Sequence, residues 1–122
     1  MKRKVPWLGI LAVVNVILCS WSLVSYLHLD LRVTLANDQT WRIVKSRDQA
    51  LAMKNADGVG QLQMIVNEYP SGTKQIKGSL LDKMVERQRA TAVHEVLTHL
   101  RKETGKNFGD DPEVWIEKYG SQ

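Results

Sequence analysis

Two histidines and a glutamate offer the first candidate chemistry. The run His94-Glu95-Val96-Leu97-Thr98-His99 resembles the zinc motif HExxH at first sight. That motif sets two imidazoles four residues apart on one helix face, with the glutamate as base. Here the histidines are five apart. Five residues turn an α-helix by about 500°, which leaves the rings roughly 140° apart. One zinc ion is poorly placed to take both, so the spacing predicts two surface or boundary histidines. Gly109-Asp110-Asp111-Pro112-Glu113 gathers acids. It lacks the DxDxDG…E order of a calcium loop, and helix capping accounts for Asp111. Pro70-Ser71-Gly72-Thr73-Lys74-Gln75 has small residues and a lysine, as a phosphate cradle does. It lacks the GxxxxGK[ST] spacing, and no strand leads into it. Cys19 lies in an apolar run, where a thiol stays protonated and unreactive. No GxSxG elbow is present. The expectation is therefore a non-enzyme with no catalytic residue, no cofactor and no metal. Lys74, Lys77 and Arg87, near a helix start, remain as a candidate contact for an anion.

The element that must position everything else is apolar. From Val5 to Leu29 the chain contains no Asp, Glu, Lys or Arg, and Met1-Lys2-Arg3-Lys4 precedes it. A bilayer core about 30 Å thick needs roughly 20 apolar helical residues. Trp7 to Leu27 meets that length, with Trp7 toward one end and Trp21 and Tyr26 toward the other, as interfacial aromatics are placed. The basic tip outweighs Arg32, which has Asp30 beside it. That asymmetry predicts a single-pass protein with a cytoplasmic N-terminus and an extracytoplasmic C-terminal domain. A cleaved signal peptide is the rival, with Ser20-Trp21-Ser22 as its cut site. A tryptophan inside that site and an apolar run continuing past it favour a retained anchor. A lipid attached at Cys19 would need a small residue before it, where Leu18 stands. Asn15 could bond a neighbouring helix or its own backbone.

The charge supports this division. Of 122 residues, 17 are Lys or Arg and 13 are Asp or Glu, giving +4. Lys2, Arg3 and Lys4 supply three of the 17, so the other 14 face 13 acids and the remainder is near +1. A nucleic-acid partner is not expected, because duplex binding needs a concentrated basic stripe. A single cysteine excludes an intramolecular disulfide.

Beyond the apolar run the pattern is helical, and three regions follow: 1–29 as tip and anchor, 30–40 as a membrane-proximal linker or helix extension, and 41–122 as a helical domain. From Leu27 to Leu35 apolar and polar residues alternate, as in a strand. No second strand is apparent to pair with it, so a helical extension or an extended linker is preferred. Trp41 to Lys54 predicts a helix with Trp41, Val44, Asp48, Leu51 and Ala52 at helical spacings. Asp57 is placed to cap a second helix, whose face is Val59, Leu62, Ile65, Val66 and Tyr69 and which Pro70 ends. Ser79-Leu80-Leu81-Asp82 resembles a capping box. It opens a long helix with Leu81, Met84, Val85, Ala92, Val93, Val96, Leu97 and Leu100 on one stripe, stopped at Gly105. Asp111-Pro112-Glu113 starts a short helix to Tyr119, from which Trp115, with Phe108 before it, is expected to dock on the long helix.

The stretch Leu100-Arg101 through Thr104-Gly105, Phe108-Gly109, Asp111-Pro112 and Trp115 resembles the LRxxTGxxFGxDPxxW closing segment of bacterial HEAT-like helical repeat proteins. With the hairpin before it, the resemblance covers roughly residues 57–119. It implies an all-α fold, a membrane helix followed by a small HEAT-like hairpin bundle, and no catalytic residues. A repeat stack generally needs about three units, and here there is room for one full hairpin. The apolar faces then either close a small bundle or finish their burial on a partner. The expected function is membrane-anchored binding or scaffolding, as an accessory subunit of a larger membrane assembly. The alternative is an envelope protein that holds an anionic or polymeric ligand through Lys74, Lys77 and Arg87.

Overall fold

A computed structural model describes residues 6–120, and the basic tip lies outside them. Four α-helices and no strand occur among the described residues: α1 Trp7–Ala52, α2 Val59–Asn67, α3 Leu80–Thr104 and α4 Pro112–Tyr119. The chain divides between Val33 and Thr34 into two compact units, although α1 runs through the boundary.

The first unit is the apolar part of α1. None of its apolar window is buried, and by length and composition it can cross a membrane. Trp7, Trp21 and Tyr26 are exposed on it. Asn15 takes the local option: its Nδ2 donates to Leu11 O at 3.0 Å, within its own helix. The alternation from Leu27 to Leu35 is helical rather than extended. Adding a residue to an existing helix gains one hydrogen bond, whereas a strand here would have no mate.

In the second unit α1 continues as one wall of a bundle. Its buried stripe is Ala36, Gln39, Ile43 and Ala50, a three-then-four spacing that keeps one face inward. The helix is present as expected, but the residues whose spacing marked it face outward: Trp41, Asp48, Leu51 and Ala52 are exposed and Val44 is only half-buried. α2 buries Val59, Leu62 and Ile65; α3 buries Val85, Ala92, Val96, Leu97 and Leu100; α4 contributes Trp115. Met84 leaves the expected stripe and is exposed. Each large apolar side chain removed from water contributes about 1.5–3 kcal/mol.

Chain direction follows from the pairings. Gln39 reaches Tyr69 O, Arg47 reaches Glu95, and His99 reaches Met53 O. The second half of α1 therefore runs parallel to α3. Arg89 meets the end of α2, while a Cβ at Gly58, just before α2, would lie 3.5 Å from Leu100, so α2 is antiparallel to both. The same Cβ would stand 3.2 Å from Ala50 O. Gly58 and Ala50 are small where three segments meet.

The helix ends show which local signals act. Ser79 caps α3, its Oγ accepting from Asp82 N at 3.2 Å. Gly105 ends α3 in the left-handed region, φ 65°, with its N–H on Arg101 O. Asp111 caps α4 by accepting from Glu113 N at 3.0 Å, and Pro112 follows it. α2 differs from expectation. Gly58 occupies its cap with no side-chain bond, so Asp57 does not cap it. A turn does that work instead, with Asp57 N bonded to Lys54 O and Val59 N to Ala56 O. α2 ends at Asn67, three residues before Pro70. α4 packs its backbone most closely on α2 rather than on α3.

Candidate interaction surfaces

The end of α2 is held by one guanidinium. Carbonyls at a helix C-terminus have no partner within the helix and carry partial negative charge. Arg89 Nη1 donates to Ile65 O at 2.7 Å and Glu68 O at 2.6 Å, with Val66 O at 3.3 Å, and its Nη2 donates to Tyr69 O at 2.7 Å. Gln39 Nε2 adds a second donor to Tyr69 O at 2.7 Å. Arg89 Nε lies 3.3 Å from Glu86, three residues before it, yet the Arg89 side chain is only 12% exposed. It is a structural staple rather than part of a solvated face.

The loop that resembled a phosphate cradle already holds an anion, the carboxylate of Asp82. Asp82 accepts from the Ser71 hydroxyl at 2.6 Å, Gly72 N at 3.0 Å and Gly78 N at 2.8 Å. Ser71's hydroxyl bond, then that from Gly78 N, hold its carboxyl below the usual carboxylate range. Burial opposes this, and Gly72 N and the charge of Lys77 add to it. The capping box is thus one-sided. Ser79 serves the helix while Asp82 turns back to close the loop, and Ser79 N bonds Ile76 O instead.

The three candidate anion contacts have different surroundings. Lys74 Nζ sits 4.0 Å from the centre of the Tyr69 ring. Lys77 is exposed, and its charge acts on Asp82. Arg87 is exposed on α3, five residues beyond Asp82, or about 7.5 Å along the axis. Lys83 and Arg87 are i, i+4 neighbours on the exposed side of α3, Lys77 lies in the turn before it, and Lys74 stands over the Tyr69 ring.

Two apolar features remain in the open. Between the second half of α1 and α2 lies a shallow groove of about 630 Å³. Trp41 and Met64 are its exposed apolar members, with Arg42, Lys45 and Glu68 around them. Lys45 Nζ stands 4.9 Å from the Trp41 ring centre. At the start of α3, Ile76, Leu80 and Met84 are 58%, 74% and 60% exposed. The sequence put Met84 on the apolar stripe of the long helix and Trp41 only at a helical spacing. Only the neighbours of each face could have revealed otherwise.

The histidines separate as their spacing predicts. His94 is exposed, whereas the half-buried His99 donates from Nε2 to Met53 O at 2.9 Å, just past the end of α1. Among the described residues, no three His, Cys, Asp or Glu side chains gather as a metal site. The acids after Gly109 serve structure: Arg101 Nη2 bridges Asp110 at 2.5 Å and Gly109 O at 2.6 Å, and Asp111 caps α4. Trp115 Nε1 donates to the same Gly109 O at 3.0 Å, and Phe108 meets its ring edge-on at 4.9 Å.

No protein-family model matches this chain, and neither does any curated protein or solved structure.

Proposed function

We propose that the protein is a non-catalytic, membrane-anchored binding or scaffold protein that serves as an accessory subunit of a larger membrane assembly. The observation that carries this reading is the groove between α1 and α2, where Trp41 and Met64 stand exposed on a folded unit that continues directly from a membrane-length helix. A tryptophan in a water-facing groove with arginine and lysine at its rim has the composition of an interface anchor. The resemblance of residues 100–115 to the closing segment of HEAT-like repeat proteins agrees with it, because such folds act by presenting surfaces. Lys2, Arg3 and Lys4 against Arg32 and Asp30 favour a cytoplasmic N-terminus, with the helical unit on the opposite side.

Mild-detergent extraction from the native membrane, then native gel and mass spectrometry, tests the reading. The expected result is a complex heavier than the chain, lost in Trp41→Ala/Met64→Ala. A monodisperse monomer under the gentlest conditions overturns it. Protease shaving of intact cells or spheroplasts tests orientation, and a unit protected from outside overturns the one drawn.

A further inference from the structure

The outer face of α3's first two turns, with the turn before it, combines two chemistries. Taking Leu80 as origin, Lys83, Met84 and Arg87 fall within about 100° of helical arc. The buried residues Asp82 and Val85 lie on the opposite side. Ile76 lies in the turn just before α3, its carbonyl accepting from Ser79 N at 2.9 Å, and is exposed. Lys77 stands next to it and is exposed. The first turns of α3 thus expose Leu80 and Met84 beside Lys83 and Arg87, the turn before them exposes Ile76 and Lys77, and none of these six is acidic. Three large apolar side chains in water need a reason when they are contiguous.

Its place in the unit suggests the occupant. α3 runs parallel to the second half of α1: Arg89, nine residues into α3, shares Tyr69 O with Gln39, and His99 near its end bonds Met53 O, so Leu80 lies on the N-terminal side of the Gln39 level. The patch thus lies at the end of this unit where the chain enters from the apolar segment. Apolar side chains framed by lysine and arginine suit the interface of an anionic bilayer, where the former enter the acyl boundary and the latter meet phosphate groups.

We infer that Ile76, Leu80 and Met84, with Lys77, Lys83 and Arg87, form a second membrane contact that docks on anionic lipid. It rests on α1 spanning the membrane, the premise of the proposed function. The contact would hold the helical unit down on the bilayer and leave the Trp41 groove for a protein partner.

The test uses the full chain in vesicles, with Leu80→Cys in a Cys19→Ser background carrying an environment-sensitive fluorophore. In vesicles containing phosphatidylglycerol, emission should shift to the blue and be quenched by a lipid-borne spin label. In phosphatidylcholine alone, or at high salt, both effects should fade. Replacing Lys77, Lys83 and Arg87 together by Gln should lower the docked-to-free ratio on the order of a hundredfold, with circular dichroism unchanged. A label equally wet in every lipid, while α1 resists alkaline extraction, overturns the inference and leaves the anchor intact. Alkaline release of the chain overturns both. Protection that ignores lipid charge and salt, or that is lost with one copy per nanodisc, also overturns it.

Discussion

Gln39 and Arg89 converge on a single carbonyl oxygen, that of Tyr69, each at 2.7 Å. One comes from α1 and the other from α3, and the acceptor lies just beyond α2. Three segments far apart in sequence are thus joined through two donors. Arg89→Ala should destabilise the unit by roughly 2–4 kcal/mol, because it leaves the carbonyls of Ile65, Glu68 and Tyr69 without their charged partner. Arg89→Lys should recover only part of this, since a point charge cannot span three acceptors. Thermal unfolding of the full chain in mild detergent, followed by circular dichroism, measures both. A double-mutant cycle with Gln39→Ala should give a non-zero coupling.

Asp82 makes acid stability specific. Its carboxyl is held below its ordinary range mainly by the Ser71 hydroxyl and Gly78 N. A depressed folded pKa contributes stability that is complete above the unfolded value near 4 and is lost as pH falls through the folded one. The wild-type midpoint in urea should therefore fall across that acid window. Asp82→Asn should have a lower midpoint at neutral pH and a flatter acid limb. Parallel curves for the two proteins would refute the assignment.

Gly105 and Gly72 distinguish two sources of strain. Both have positive φ, 65° and 82°, but a Cβ at Gly105 meets open space, while one at Gly72 would come within 2.9 Å of Lys77 Cβ. Gly105→Ala should cost about 1 kcal/mol from the backbone alone. Gly72→Ala should cost more, because the loop must also shift, and that shift should weaken the Asp82 bonds. Comparison of the two in the same unfolding assay checks the order.

Trp115 is fully buried and donates to Gly109 O. Trp115→Ala should cost about 3–5 kcal/mol through the cavity it leaves. Trp115→Phe keeps much of the packing and loses the bond from Nε1, so roughly 1–2 kcal/mol is expected. Amide exchange should show the added opening in α2, against which α4 packs.

Trp41 should behave in the opposite way. Trp41→Ala leaves the unfolding transition within about 0.5 kcal/mol of wild type, as an exposed substitution does. Under the proposed function, its effect should appear as a loss of mass in the material extracted by mild detergent.

What could be foreseen from the sequence was mostly local. Ser79, Gly105, Asp111 and Pro112 mark helix ends through bonds to residues a few positions away, and the structure shows those ends. The length of the apolar segment was equally plain. The inward face of the second half of α1 was not. Trp41 and Leu51 are more apolar than Gln39 and Ala50, and helical spacing allows either face. The choice is made by α2 and α3, which bury Ala50 completely and bring its backbone close against Gly58. Arg89 was hidden for a related reason: one glutamate three residues away gave it an adequate surface partner. Its reach to α2 depends on a packing that no local pattern records. Asp57 lost its expected role because a tight turn at residues 54–59 supplies backbone bonds in its place. For the candidate site, the basic residues Lys77 and Arg87 could be named, but their apolar companions could not, because Met84 fits the core stripe as well as the outer row.

The parallel pairing of α1 with α3 also imposes a timetable. Met53 and His99 meet across 46 residues. A ribosome adding about 5–20 residues per second needs several seconds to make that interval. Throughout it, Ile43 and Ala50 lack the α3 side of their core, while the apolar segment ahead of them is already made. The membrane-length part of α1 is thus complete before the bundle's core can close.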